Sequence, residues 1–362
     1  MSGLHDLLVR AAAAAVAEQD AATGSLPAGH NGCWEQRETP VRNTSHWLVG
    51  FLAAHRISGE PRFRDAAVRA LTYLCSDKAR PGGASFWHRE ARPRDGCNGL
   101  IGQAWTLEAL AEAAAALDSD AAARLAERVF LSHRFDTASG LWSRLEVNGR
   151  DLGLDFTFNH QLWFAAAGAL LAPHSDAEVG ARVIRFVDRL EANLDLYRSG
   201  LICHPLHPRS FWWREPRYAW RFARTRRARD HELSRKAAGY HAFNLYGFAL
   251  LASRLPGHAF WRGPRFTRAW NFAATPSFRE SLESNEYAYP YNPAGIEMAF
   301  AHEVFGRDAK LEQERWLAEQ LRRHYDFDAH RLARATPDPT TLAARLYEAT
   351  RLPDLAVRRE PS

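Results

Sequence analysis

Cysteine, lysine, methionine, long apolar runs and alternating strand patterns are all scarce in this chain, and each scarcity excludes something. The four cysteines, Cys33, Cys75, Cys97 and Cys203, are scattered and form no C-x-x-C. That rules out a disulfide framework and the usual zinc-ligand spacings, and it fits a reducing compartment. No apolar run reaches the roughly 20 residues that span a bilayer. The N-terminal stretch LLVRAAAAAVA is broken by Arg10, and Asp6 stands where an export signal would be basic. It reads as an amphipathic helix, and the expected location is the cytoplasm. Lysine occurs only at Lys78, Lys236 and Lys310, so the cations are almost all arginine, a usage that reflects genome composition. Strand-like alternation is nearly missing, with LWSRLEVNG the main hairpin-sized candidate.

What the chain does have is apolar mass in helical form. A hydrophobic content of 46% with 12% aromatics is globular, and 362 residues can bury a large core. The most informative stretch is LDFTFNHQLWFAAAGALL, from Leu154 to Leu171. It opens with Asp155, Asn159, His160 and Gln161 and then becomes apolar on every side. A helix without a polar face is buried, so those polar groups enter the interior, where unpaired they are costly. The layout recurs. Greasy helices begin near 43, 97, 155, 237, 290 and 339, and each of the first five is followed by a shorter amphipathic one. Alternation at a long period marks stacked helix pairs. With the first helix pairing with the last, the expected fold is all-α, an (α/α)6 toroid of six hairpins with inner and outer rings. The inner helices then run in one direction and their N-termini share a face. Residues 1–355 are expected to form this one domain, with 356–362 a short flexible tail.

One spacing breaks the rhythm. The step from 155 to 237 exceeds its neighbours by about the length of 209–236. That segment holds nine Arg and one Lys against Glu215, Asp230 and Glu232, more excess positive charge than the +5 of the whole chain. Trp212, Trp213, Tyr218, Trp220 and Phe222 are interleaved with the cations. It reads as an inserted lid with substrate contacts, and as a surface for peripheral membrane contact if the substrate is lipid-linked. Nucleic acid is not expected as a partner, because no recognised binding module accompanies the patch.

This organisation resembles the six-hairpin glycosidase-like superfamily of glycoside hydrolases, polysaccharide lyases and N-acylglucosamine 2-epimerase-type sugar isomerases. NTSHWLVGFLAAHRISGEPRFRDAA is similar to the first barrel hairpin of the epimerases, and NPAGIEMAFAHEVF to their late H-x-I-E-W helix. Glu297 stands at the Glu position of that motif, whereas Ala294 stands where those enzymes carry a catalytic histidine. The chain is also similar to soluble sugar-modifying proteins of glycan-assembly clusters. The resemblance implies a carbohydrate-processing enzyme. Terpene and lanthionine cyclases share the shape, but DDxxD, DxDD and a Cys/Cys/His zinc pattern are all missing.

Placed on the wheel, the candidate active face comprises Glu38, Arg42, Asn43, His46, Trp47, Trp87, His88, Asn98, Gln103, Asp155, Asn159, His160, Gln161, Tyr240, His241, Asn244, Glu286, Tyr287, Tyr289, Tyr291, Asn292 and Glu297. Aromatic faces and amides suit a sugar, whose C–H faces stack on rings and whose hydroxyls need donors and acceptors. Helix N-termini favour an anionic group, so the expected partner is a sugar or oligosaccharide, anionic or lipid-linked among the options.

Two chemistries fit. Epimerisation or isomerisation moves a proton beside a carbonyl, and histidine suits that near neutral pH. His160 and His241, on successive inner helices, are the expected pair. Glycoside hydrolysis or uronate elimination on the same fold is the alternative. Hydrolysis needs two flanking carboxylates, for which Asp155 with Glu286 or Glu297 are the candidates. A non-catalytic glycan-binding toroid is the third reading. Several residues have simpler roles open to them: Asp155, Asn98 and Asn292 as helix caps, Arg42 as an ion-pair partner of Glu38 or Glu297, and His88 as a wall. No metal-ligand spacing is present, so no metal or organic cofactor is expected.

Overall fold

The computed structural model describes residues 2–90, 95–206, 231–306 and 309–357. Most of the basic insertion expected to act as a lid therefore lies outside the described residues, as do 358–362. Among the described residues there are fourteen α-helices and only short strands.

Five long helices and one short one form the inner ring: α2 (Val41–Ser58), α4 (Gly99–Leu117), α6 (Phe158–Leu171), α9 (His241–Arg254), α12 (Ala294–Phe305) and α14 (Pro339–Ala344), which continues as a 3-10 turn over Arg345–Arg351. Each packs on the next, and the last packs back on α2, so the ring is closed. Nearly every residue of these helices is buried. This is the physical meaning of their lack of a polar face. Their small residues let neighbours approach closely. A Cβ on Gly168 would meet the Phe130 ring at 2.5 Å, and one on Gly295 would meet the Trp316 carbonyl at 2.3 Å.

The outer ring consists of α1 (Leu4–Val16), α3 (Pro61–Cys75), α5 (Asp120–Ser132), α7 (Ala177–Asn193), α10 (Pro264–Ala273) and α13 (Ala309–His324). These bury one face and expose charge on the other, as their composition requires. Two helices are additional: α8 (His231–Gly239), which leads into α9, and α11 (Pro276–Leu282), which packs on α8. Side-chain caps mark the starts of several outer or short helices. Ser119, Asp176, Thr275 and Asp338 each accept from a first-turn amide.

The first helix meets the last as expected, and a small sheet reinforces the seam. Strand β1 (Ser2–Gly3) pairs antiparallel with β5 (Ala356–Val357). The folded body thus includes Ala356 and Val357, which the sequence had placed in the tail. The hairpin expected at 141–149 is β3 (Leu141–Leu145) with β4 (Asp151–Leu154), flanked by β2 (Phe135–Asp136). It leads directly into α6, so Asp155 sits where the hairpin ends and the inner helix begins. No described helix is long and apolar enough to cross a membrane.

Candidate active site

The site is built around the junction between β4 and α6. Asp155 is buried there, and its carboxylate is fully engaged. Oδ2 accepts from His160 Nδ1 at 2.7 Å and from the Leu100 amide at 3.1 Å, while Oδ1 accepts from the Thr157 amide at 3.1 Å. Thr157, not Asp155, is the residue at the cap position of α6. Burial alone pushes the Asp155 carboxyl up. The charge and hydrogen bond of His160, the Leu100 amide and Arg144 outweigh it and hold the group down at about 2. A carboxylate only accepts, so Nδ1 of His160 donates to it and Nε2 is the ring nitrogen left for a ligand. Among the described residues Nε2 makes no hydrogen bond, and the ring is one-fifth exposed.

The N-terminus of α4 closes on this pair through an unusual backbone. Asn98 (φ 56°) and Gly99 (φ 58°) are both left-handed. A Cβ on Gly99 would lie 2.7 Å from His160 Nδ1 and 2.8 Å from Asp155 Oδ2. Only glycine permits both the conformation and the approach, and the approach delivers the Leu100 amide to Asp155.

His160 opens into a cavity of about 220 Å³ lined by Asn31, Trp34, Arg89, Asn98, Ile101, Trp105, Thr157, Asn159, His160, His204, Lys236, Tyr240, Phe243, Tyr291 and Asn292. No aspartate or glutamate lines it among the described residues. Its charged members are cations, and two further guanidinium groups stand behind its aromatic walls: Arg42 is 4.1 Å from the Trp105 ring centre and Arg345 is 5.0 Å from that of Phe243. Lys236 lies 4.5 Å above the Trp34 ring. Polar atoms are left over at this surface. The Asn159 carbonyl oxygen, Trp105 Nε1, His204 Nδ1 and Arg89 Nε are buried with no hydrogen-bond partner among the described residues, and such groups are costly unless a ligand or water meets them.

His204 is the residue that sequence reasoning missed. It precedes Pro205 on the connection leading out of α7, and its carbonyl accepts from the Phe158 amide at 2.9 Å, which ties it to the start of α6. Its ring packs on Tyr240 with centres 4.9 Å apart. Burial, then Lys236 and His160, hold its basicity well below the usual imidazole range, so it is neutral. The sequence offers only a weak signal, a histidine in CHPLH with no periodic pattern. Asn31, Trp34 and Arg89 were missed for the same reason, since none of them lies on an α-helix.

Of the expected site residues, Asn98, Asn159, His160, Tyr240, Tyr291 and Asn292 reach the cavity. Asn292 does not cap α12: its amide donates to the carbonyls of Gly239 and Tyr287 and its oxygen accepts from Arg345, and the helix starts at Ala294 with Pro293 at the cap. Asn98 likewise makes no capping bond and accepts from Arg89.

The expected pairing of His160 with His241 is not what the fold builds. His241 is completely buried at the outer side of α9. Its Nδ1 accepts from the Ile202 amide, Nε2 donates to the Ala269 carbonyl at 3.1 Å, and Phe272 and Phe278 pack on its ring. Burial pushes its basicity down to about 4. It is a core histidine joining inner and outer rings. The carboxylate pairs fail as well. Glu286 is ion-paired with Arg235 away from the cavity, and Glu297 is buried against Arg345 at 2.9 Å, not against Arg42. Arg42 pairs with Glu38 at 3.2 Å and donates to Asn31, which also accepts from the Tyr291 hydroxyl at 2.8 Å.

The remaining candidates do not line the cavity. Gln103 clamps the backbone of Phe86 and Cys97, and Gln161 clamps Trp142 and Asp155, each with its amide nitrogen shared between two carbonyls. The same device on successive inner helices fixes the preceding loop against the helix start. Asn43 holds the Pro27 carbonyl, Trp47 stacks on Phe51, and Asn244 is buried away from the cavity. His46 stacks on Tyr347, and His88 faces the Thr106 hydroxyl; burial holds both neutral. Tyr287 packs beside Trp34, and Tyr289 lies under Arg323. Trp87 lines a neighbouring groove.

A closed ring of inner helices within an outer ring is an (α/α)6 toroid, the six-hairpin glycosidase-like fold. Solved structures of the same fold include a D-mannose isomerase (10% identical, 96% of this chain and 95% of that one, TM-score 0.66). A cellobiose 2-epimerase from Bacillus thermoamylovorans is 12% identical, over 93% of this chain and 94% of that one, with a TM-score of 0.63. An α-1,6-mannanase of Salegentibacter sp., solved with mannotetrose, is 9% identical over 96% and 98%, with a TM-score of 0.59. The chain belongs to the family of archaeal glycosylation protein Q: the protein of that name from Haloferax volcanii is 45% identical to it over 99% of both chains. No family model matches.

Proposed function

We propose that the protein is a carbohydrate-processing enzyme of glycan assembly that isomerises or epimerises a sugar by acid–base proton transfer. The observation that carries this reading is the Asp155–His160 pair opening into a cavity that no described carboxylate lines and that also holds the neutral His204. His160 Nε2 removes the proton from the carbon beside the carbonyl, and the bonding electrons move onto the carbonyl oxygen. The resulting imidazolium is stabilised by Asp155 and returns the proton to the neighbouring carbon, while the hydroxyl proton of the enediolate passes to the former carbonyl oxygen and the new carbonyl forms; epimerisation requires instead that a proton reach the opposite face of the carbon that lost it. A histidine held this far below its usual basicity is a weak base but a competent hydrogen-bond donor, so His204 is assigned to polarising the carbonyl. Arg89 and Lys236 meet the negative charge of the enediolate. With one base, return of the proton to the adjacent carbon on the same face is the simplest outcome, which favours aldose–ketose isomerisation. The solved epimerases and isomerase of the same fold, and a relative whose name refers to glycosylation, support the class of substrate.

Hydrolysis by paired carboxylates is less well served, because Asp155, Glu286 and Glu297 are each committed to another partner. The test is incubation with aldohexoses, their uronates and nucleotide-linked forms in D2O, followed by proton NMR. Deuterium is expected at the carbon beside the carbonyl, and His160→Ala should reduce its uptake at least a hundredfold. Shortening of an oligosaccharide without deuterium uptake would sink the proposal.

A further inference from the structure

Next to the cavity lies a second, larger depression of about 1280 Å³, walled by the loop that carries Trp87 and Arg89 and by the β3–β4 hairpin. Arg89 lines both spaces, so they share a wall. The smaller one is below the ~300–1,000 Å³ of drug-sized ligand sites and the larger exceeds it. One sugar ring fills the first, and several fit the second.

Three arginines, Arg89, Arg144 and Arg150, and three carboxylates, Glu90, Asp95 and Glu146, line the groove, and they differ in the hydrogen-bonding capacity each has left. The carboxylates are engaged within the protein. Asp95 accepts from the Gly99 amide at 2.9 Å and pairs with Arg144 at 3.3 Å; Glu146 accepts from the amides of Gly96 and Val147; Glu90 pairs with Arg37. Arg144 is held by Asp95 and the Leu152 carbonyl and Arg89 by Asn98, yet the arginines keep N–H donors to spare. Arg89 Nε and Arg144 Nε are buried with no hydrogen-bond partner, and the exposed side chain of Arg150 makes no hydrogen bond or ion pair, all among the described residues. Guanidinium groups recognise carboxylates and phosphates through paired N–H donors, and the half-buried Trp87 indole offers a face to a sugar ring.

We infer that this groove binds the anionic saccharide units that follow the sugar held in the cavity, so that the protein works on the end of a charged oligosaccharide chain. The inference rests on the proposed sugar site for the identity of the first ring, but the binding itself requires no turnover. It is tested by calorimetry on the full chain in H2O with galacturonate, tri-galacturonate, maltotriose and inorganic pyrophosphate. Tri-galacturonate is expected to bind at least tenfold more tightly than galacturonate and than maltotriose. That ratio should fall below threefold in Arg150→Glu, whose exposed side chain makes the variant safe to fold, and in Arg144→Gln. Arg315→Glu, which changes the net charge equally on the outer ring, should keep it. A ratio below threefold in the unaltered protein, or one that survives Arg150→Glu, overturns the inference. So does pyrophosphate binding more tightly than the trimer, which would mark a phosphate site. Failure of deuterium exchange with the trimer ratio intact would count against the proposed reaction and leave the groove standing.

Discussion

Replacing Asp155 with asparagine separates the two tasks assigned to that carboxylate, anchoring the fold and orienting His160. Its carboxyl is held down at about 2 against an ordinary 3.8. A tenfold change in proton affinity corresponds to about 1.4 kcal/mol, so the ionised form stabilises the folded state by roughly 2 kcal/mol. The sign follows from the direction. The folded pKa is depressed, so the stabilisation is present in full above pH ~4 and is lost as pH falls toward 2. Asp155→Asn should therefore lower stability at pH 7 by roughly 2 kcal/mol, a fall in Tm of roughly 3 °C for a chain of this length, and the gap between variant and parent should close as the pH falls from 4 to 2. Asparagine still offers an acceptor, but the bond to His160 is no longer charge-assisted. A hydrogen bond to a charged group is worth ~1.5–3 kcal/mol, which predicts a ~10–150-fold slower deuterium exchange. The assays are thermal unfolding across pH 2–7 and exchange into the sugar in D2O. A stability difference that does not change with pH would refute the electrostatic account of Asp155, and exchange within threefold of the parent would refute its role in orienting His160.

Gly99→Ala places a methyl against Asp155 and His160 in a left-handed backbone position; loss of exchange activity and a destabilisation of roughly 1–3 kcal/mol are expected by chemical denaturation, and a variant as active and as stable as the parent would show that α4 does not need this approach. Glu108 is buried between the Tyr347 hydroxyl at 3.1 Å and Arg351 at 2.9 Å, and burial pushes its carboxyl up to about 7. Its folded pKa is raised above the ordinary 4.5, so its contribution to stability is greatest below pH ~4.5 and falls as pH rises through 7. Glu108→Gln should accordingly flatten the decline in stability between pH 5 and pH 8, and an unchanged pH profile in urea unfolding would count against it.

The residues of the inner ring explain why so much of the fold was legible. Helices such as Phe158–Leu171 carry no polar face, so burial on all sides was the one environment open to them, and six of them with amphipathic partners imply a closed double ring. The starts expected near 97, 155 and 339 fall within three residues of Gly99, Phe158 and Pro339. Caps were read less well, since Asn98, Asp155 and Asn292 look like caps of their own helices in sequence but spend their side chains on Arg89, His160 and Arg345.

The sequence by itself determined the helical period, the inner and outer rings and the presence of costly polar groups at the inner helix starts, because these depend on local spacing and on what each residue can tolerate. Which of those groups meet was decided by tertiary structure alone. His160 and His241 occupy similar places in successive inner helices, yet one turns toward the mouth beside Asp155 and the other outward between Phe272 and Phe278. The second cavity histidine comes from an aperiodic loop, whose path is set by long-range contacts such as the Phe158 amide on the His204 carbonyl. Periodicity fixes the face of a helix relative to its own axis. It carries no information about where a loop residue comes to rest, and that is where half of the site was assembled.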